Sequence, residues 1–202
     1  MKSLMILVSS VVLALGANAA TSPAAPTKTL ANLSAAWQGE SNAKLRYQIF
    51  ADKAEKEGEK QAARLFRAAS KAEEIHAAKH AKVIKSMGGT VPEFVRQETT
   101  VGTTTENLQA AITGETEEKT TMYPAFIATA KEEGSKKAVK TFERALEVEG
   151  DHAVLFAAAI KLIGTGADSE YSVCPDCGWT IAGEPTEDCE ICDEDLSNFL
   201  SF

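Results

Sequence analysis

The apolar positions of the chain fall into one short block and four long amphipathic runs. The block, Leu4 to Leu15, is 12 residues long and is broken only by two serines. Lys2 precedes it, and the small-x-small tripeptide Ala17-Asn18-Ala19 follows. A positive start, a short apolar middle and a small-residue end mark a secretory leader, residues 1–19, cleaved before Ala20. A membrane span needs about 20 apolar residues, which leaves an uncleaved anchor as the alternative. No cysteine follows the block to carry a lipid, and no arginine precedes Arg46 to make a twin-arginine signal. Residues 20–29, rich in Ala, Pro and Thr, read as a flexible tether. The runs then predict helices over Leu30–Glu57, Glu59–Met87, Thr105–Gly134 and Ser135–Ile163, with Gly58, Gly88-Gly89 and Gly134 as stops. In the first helix Trp37, Leu45, Ile49 and Phe50 read as core positions. Residues 90–104, with Pro92 and a threonine cluster, form a long connection, and Thr104 or Thr105 caps the third helix.

The second pair of helices repeats the first. Gly58 stands 15 residues before Glu73, and Gly134 stands 15 before Glu149. In that register Tyr47 matches Tyr123, Ala54 matches Ala130, Phe66 matches Phe142, and Glu73-x-x-His76 matches Glu149-x-x-His152. Residues three apart share a helix face, so each copy presents one carboxylate and one imidazole together. Glu40 and Glu115, each after a glycine, and Glu118 one turn on complete a pool of five glutamates and two histidines. Oxygen-rich ligation with one imidazole per ion suits iron or manganese. A glutamate from each of two helices and a Glu-x-x-His from each of the others is the ligand plan of carboxylate-bridged two-metal bundles, and a long second connection belongs to the ferritin-like kind. The predicted architecture is thus mainly α, a ferritin-like four-helix bundle over residues 30–165. Two positions depart from the repeat. One extra residue lies between Glu115 and Tyr123, ahead of Pro124, and predicts a π-bulge or kink that turns both Glu115 and Glu118 inward. Gly150 sits inside the second Glu-x-x-His, where a helix interior avoids glycine by about 1 kcal/mol; it either allows a close backbone approach or loosens the site. His80, the third histidine, has no counterpart and reads as a packing residue or a partner behind the ligands.

After the hinge Gly164-Thr165-Gly166, all four cysteines appear as Cys174-x-x-Cys177 and Cys189-x-x-Cys192. Paired knuckles of this spacing build a tetrahedral four-thiolate site for iron or zinc. The module over 168–202 is too small to be held by burial alone and needs its metal.

Together these stretches resemble the rubrerythrins, ferritin-like di-iron bundles followed by a rubredoxin-like domain. Gly39-Glu40-Ser41, Ala72 to Ala77, Gly114 to Glu118, Met122-Tyr123-Pro124, Glu149 to His152 and Cys174-Pro-Asp-Cys177-Gly carry the resemblance, with Phe199 as the closing aromatic of the rubredoxin module. It implies that Glu40, Glu73, His76, Glu115, Glu118, Glu149 and His152 hold two irons, and that Glu118 and His76 exchange at one of them on reduction. It implies that Tyr47 and Tyr123 hydrogen-bond ligand carboxylates, and that Cys174, Cys177, Cys189 and Cys192 hold a third iron. The implied activity is reduction of hydrogen peroxide to water, protective against oxidative stress, with electrons from an unknown donor protein relayed through the cysteine site of a neighbouring subunit. A homodimer or higher homo-oligomer follows. The alternatives are a ferroxidase or oxidase using dioxygen, and a non-catalytic protein with zinc in the tail.

Charge refines the partners. Of the net −8, the stretch from Asp168 onward contributes ten acidic residues and no Lys or Arg, which leaves about +2 for the rest. So acidic a chain excludes nucleic acid as a natural partner. Its tail is either a solubilising face or a surface that docks on a basic patch. Export, and a periplasmic setting, would favour disulfides between the cysteines; the resemblance places iron there instead. Nothing beyond the leader calls for stable membrane insertion.

Overall fold

The computed structural model describes residues 27–202; the predicted leader and most of the tether lie outside them. Among the described residues there are five α-helices: α1 (Lys28–Glu57), α2 (Lys60–Ser86), α3 (Thr104–Glu117), α4 (Tyr123–Glu132) and α5 (Lys136–Ile160). A π-helical turn, Glu118–Met122, joins α3 to α4, so the two make one continuous rod and the bundle has four. The extra residue of the second repeat is therefore absorbed where the sequence predicted it, with Pro124 just beyond the widened turn.

The two helical hairpins close identically. Gly58 and Gly134 adopt left-handed φ of 81° and 70°. The residue after each bonds back to the matched alanine, Glu59 N–H to Ala54 O at 2.9 Å and Ser135 N–H to Ala130 O at 2.8 Å. This is the six-to-one helix stop that needs glycine. The third rod begins one residue earlier than expected. Thr103, rather than Thr104 or Thr105, is its N-cap, in a reciprocal capping box with Glu106. The long connection runs along α1, with Gln38 and Asn42 donating to Val95 O and Gln97 N–H donating to Asn42.

The core forms two apolar clusters, one around Tyr47, Phe50, Phe66 and Phe156, the other around Leu33, Ile84, Tyr123 and Phe142. Repeat mates pack alike: Tyr47–Phe66 and Tyr123–Phe142 both have ring centroids 5.9 Å apart. Of the core positions expected in α1, Phe50 is buried, while Trp37, Leu45 and Ile49 are only half-covered. Tyr47 and the alanines 36, 43, 51 and 54 take the inward face instead, because close helix approach there leaves room for small side chains.

The tail folds as a three-stranded antiparallel sheet in the order β2 (Thr180–Ala182), β1 (Tyr171–Val173), β3 (Leu200–Ser201). It docks on the bundle. Arg64 pairs with Asp168 at 3.1 Å, Gln61 donates to the Tyr171 hydroxyl, and Lys79 and Arg144 both hold Asp176. No helix among the described residues is long and apolar enough to cross a membrane.

The structure accounts for Gly150. A Cβ there would lie 1.9 Å from Lys119 Nζ and 2.7 Å from its Cε. The approaching group is thus not backbone, as expected, but a lysine side chain from the π turn, laid across α5. Its tip is flexible, so Gly150→Ala should move Lys119 aside rather than disrupt the helix. The expected outcome is a thermal midpoint raised by the helix-propensity gain of up to about 1 kcal/mol. A lowered midpoint that Lys119→Ala does not restore would refute this account.

Candidate metal centre

Each rod of the bundle aims at one point between the two apolar clusters. Glu40 comes from α1, Glu73 and His76 from α2, Glu115 from α3, and Glu149 and His152 from α5; all are buried. Ligand atoms of Glu40, Glu73, His76 and Glu149 lie within 4.8 Å of one another, and so do those of Glu73, Glu115, Glu149 and His152. Glu73 and Glu149 belong to both groups, as bridging carboxylates would. His76 Nδ1 stands 3.0 Å from Glu149 and 3.1 Å from Glu73; His152 Nδ1 stands 3.0 Å from Glu149 and 3.4 Å from Glu73.

Six of the seven glutamates and histidines expected at the site are brought together. Glu118 is not: it belongs to neither group and sits half-buried on the π turn. Of the two side chains expected to turn inward at the bulge, Glu115 joins the second group, while Glu118 stands outside both groups but close enough to raise Glu40. In this arrangement His76, not Glu118, completes the first group.

The surrounding hydrogen bonds follow the repeat. The Tyr47 hydroxyl donates to Glu115, and the Tyr123 hydroxyl donates to Glu40. His80 lies behind this layer, its Nε2 3.1 Å from the Tyr123 hydroxyl and its Nδ1 3.3 Å from Thr141. Burial and the neighbouring His76 push His80 down to about 3, so it stays neutral. Arg46, absent from the sequence reading, lies over the Tyr47 ring at 5.5 Å, near the charges of Glu118 and Glu115.

Even so, Glu40 Oε2, Glu73 Oε1, Glu115 Oε2, both oxygens of Glu149 and His152 Nδ1 are buried without a hydrogen bond. Orphaned buried polar atoms are rare, and those that exist call for an ion or a functional reason. Here they are the inward atoms of the two groups. A donor set of carboxylates with one imidazole each fits two iron ions.

Four sulfurs form the second centre. Cys174, Cys177, Cys189 and Cys192 present Sγ atoms within 4.8 Å of one another, with Cys174–Cys192 at 3.5 Å and Cys177–Cys189 at 3.4 Å. All four thiols are free, so the disulfide alternative is not the arrangement found. Hydrogen bonding from Cys177 holds Cys174 down to about 5, while burial raises Cys192 to about 12. Such a cluster cannot ionise completely without a cation. The site fits iron or zinc.

No motif in the chain points to the seam between the centres. His76 Nε2 lies 3.0 Å from the Cys177 carbonyl, and His152 Nε2 lies 3.2 Å from the Thr180 hydroxyl. Gly178 permits this approach: a Cβ there would come 2.9 Å from His76 Nε2, and its φ is +86°. Beside the seam a cavity of about 340 Å³ reaches His76 and Cys177 past Lys82, Lys137 and Lys140.

The unmetallated centre holds protons. Burial, then repulsion from Glu149 and Glu73, raises Glu115 to about 8; burial and Glu118 raise Glu40. Although burial opposes it, Glu149 and Glu73 raise His76 to about 10, and Glu115, Glu149 and Glu73 raise His152. Each raised group binds a proton that the unfolded chain has already released, so stability is lost as pH rises through these values. Glu149 is shifted downward, and its opposing effect is complete below the usual carboxylate range. The metal-free protein should therefore lose thermal stability from about pH 5 to about pH 10. Iron loading should abolish that slope, because bound metal holds its ligands deprotonated. Equal slopes in calorimetry of the two forms would contradict the assignment.

Comparison with known proteins agrees with this geometry. The rubrerythrin family model matches residues 31–160. Nigerythrin of Nitratidesulfovibrio vulgaris is 37% identical over 183 residues, 91% of either chain. Rubrerythrin-2 of Clostridium acetobutylicum is 37% identical over 175 residues, 84% of this chain and 94% of its own. The solved structure of nigerythrin in its fully reduced, all-ferrous state superposes with a TM-score of 0.80 at 35% identity, covering 98% of this chain and all of that one. A bacterioferritin of Mycobacterium tuberculosis shares the bundle fold, with a TM-score of 0.62 at 19% identity. By family match and by near full-length likeness, the chain belongs to the rubrerythrin family.

Proposed function

We propose that the protein is a peroxidase that reduces hydrogen peroxide to water at the buried glutamate–histidine centre, with electrons delivered through the four-cysteine site. The observation that carries this reading is the seam: a carbonyl of the cysteine site hydrogen-bonds a histidine of the buried centre. Two ferrous ions held there would supply two electrons together, enough with two protons to convert one peroxide into two waters.

The chain's own residues supply the rest. Glu73 and Glu149 belong to both halves of the centre and would hold both ions. Tyr47 and Tyr123 direct Glu115 and Glu40 inward through their hydroxyl donors. Glu118 waits on a π turn while His76 faces the centre, which suits an exchange of carboxylate for imidazole as charge changes. The cavity beside His76 offers a small polar molecule a way in. A four-thiolate iron is a one-electron carrier and would refill the centre in two steps; zinc there would break the relay. The knuckle docks on its own chain's bundle here, and a homodimer that exchanges knuckles would join the same surfaces.

Fully reduced protein mixed with one equivalent of hydrogen peroxide should regain the colour of a ferric four-thiolate site in stopped flow. Glu118→Ala should slow that return about 10- to 100-fold. Colour that returns only with dioxygen would favour the ferroxidase or oxidase, and a colourless, zinc-filled tail would favour the non-catalytic reading.

Residues 1–19 support an exported, periplasmic site of action. Mass spectrometry of the protein recovered from its native compartment should find the chain starting at Ala20; an intact Met1 start on all of it would exclude this.

A further inference from the structure

Thr180 belongs to no metal-ligand motif, yet its side chain is buried against the di-metal centre. It is 2% exposed, and its hydroxyl lies 3.2 Å from His152 Nε2 and 3.0 Å from the Gly178 carbonyl. The other nitrogen of His152 faces Glu149, Glu73 and Glu115 and has no hydrogen bond of its own. A histidine that ligates through Nδ1 carries its proton on Nε2. The chain of donors is then determined: His152 Nε2–H donates to Thr180 Oγ1, and the Thr180 hydroxyl donates to the Gly178 carbonyl. His76 is arranged in parallel, with Nδ1 toward Glu149 and Glu73 and Nε2–H donating to the Cys177 carbonyl. Four consecutive residues of the cysteine module, Cys177 to Thr180, thus hold the outer nitrogens of both imidazoles.

We propose that Thr180 is a positioning residue of the di-iron centre: its hydroxyl locks His152 into the Nδ1-ligating tautomer and strengthens it as a ligand, so that the docked knuckle forms part of the outer shell of the buried site. The inference rests on the di-iron reading of the site but not on peroxide as its substrate. Acceptors on the outer N–H of a metal-bound imidazole fix its orientation and raise its basicity. A more basic ligand favours the ferric over the ferrous ion. Trp179 supports the placement, since its Nε1–H donates to Asp151 at 2.9 Å, one residue from His152. Val173 opposite Thr180 in the β1–β2 register fixes the turn that carries the hydroxyl.

The test uses the full chain loaded with iron. Thr180→Val keeps the β-branched shape and removes the hydroxyl; Thr180→Ser keeps the hydroxyl and removes the methyl. The midpoint potential of the di-iron centre is followed by EPR of its half-reduced form, iron affinity by competition with a chelator, and the colour of the four-thiolate iron reports an intact, docked module. Thr180→Val should weaken iron binding about tenfold or more. It should raise the potential by about 59 mV, the one-electron equivalent of a tenfold loss of ferric preference. Thr180→Ser should restore both. Wild-type potential and affinity in Thr180→Val would overturn the proposal, as would a Thr180→Ser variant that behaves like Thr180→Val, since packing alone would then explain the residue. A wild-type chain that binds no iron pair would overturn the di-iron reading and this inference with it, whereas a wild type that binds iron and reduces peroxide leaves only Thr180 in question.

Discussion

Everything in the bundle answers to one electrostatic problem: four glutamates and two histidines share the middle of an apolar structure, with a fifth glutamate, Glu118, beside them. Removing a carboxylate from water costs several kcal/mol after relaxation, and here both oxygens of Glu149 and one each of Glu40, Glu73 and Glu115 lack a hydrogen bond. Protons relieve part of that cost, as the upward shifts of Glu40, Glu115 and Glu118 show. Two cations relieve it better, because they meet the inward atoms of both groups at once. The layers around the site have the same logic. Tyr47 and Tyr123 spend their hydroxyls on Glu115 and Glu40, and their rings seal the centre against the two phenylalanine clusters.

Duplication made much of this legible from sequence. A position that recurs in register carries a constraint twice, and the matched pairs meet the same environment: Ala54 and Ala130, Phe66 and Phe142 are all fully buried, and Gly58 and Gly134 make the same stop. The single break in register between Glu115 and Tyr123 was equally informative. A continuous helix can absorb one extra residue only by widening a turn, and the π turn at Glu118–Met122 does so. Periodicity was less able to rank faces within one helix. Leu45 and Ile49 have the right spacing for a core, but Tyr47, Phe50 and four alanines occupy the buried face of α1.

Contacts between elements were not legible. The Cys177 carbonyl meets a histidine 101 residues away, and Thr180 meets one 28 residues away. Backbone carbonyls carry no sequence signal, and a lone threonine on a short strand has many ordinary uses. Gly178 was the only local trace, and as the residue after a cysteine knuckle it has a sufficient reason of its own in its left-handed φ. Lys119 was hidden for a similar reason: the widened π turn decides which side chain crosses Gly150, and spacing along α5 could reveal only that room had been left.

The seam makes the two centres one physical unit. A module of some 35 residues buries too little to fold on its own and depends on its metal. Once folded, it is held by Asp176 between Lys79 and Arg144 and by Asp168 on Arg64, all partly exposed pairs of modest worth. What distinguishes this docking from any other weak domain contact is where it ends. The same few residues that ligate or flank the sulfur site satisfy the outer nitrogens of both buried imidazoles. An undocked module would leave the two N–H groups of metal-bound histidines facing solvent or unpaired. The buried centre therefore favours the docked state, and under the proposal for Thr180 docking would in turn set the strength of its histidine ligands. On the proposed reading, electron transfer and ligand tuning would both pass through one short strand-turn, so a change in how the module sits would alter both together.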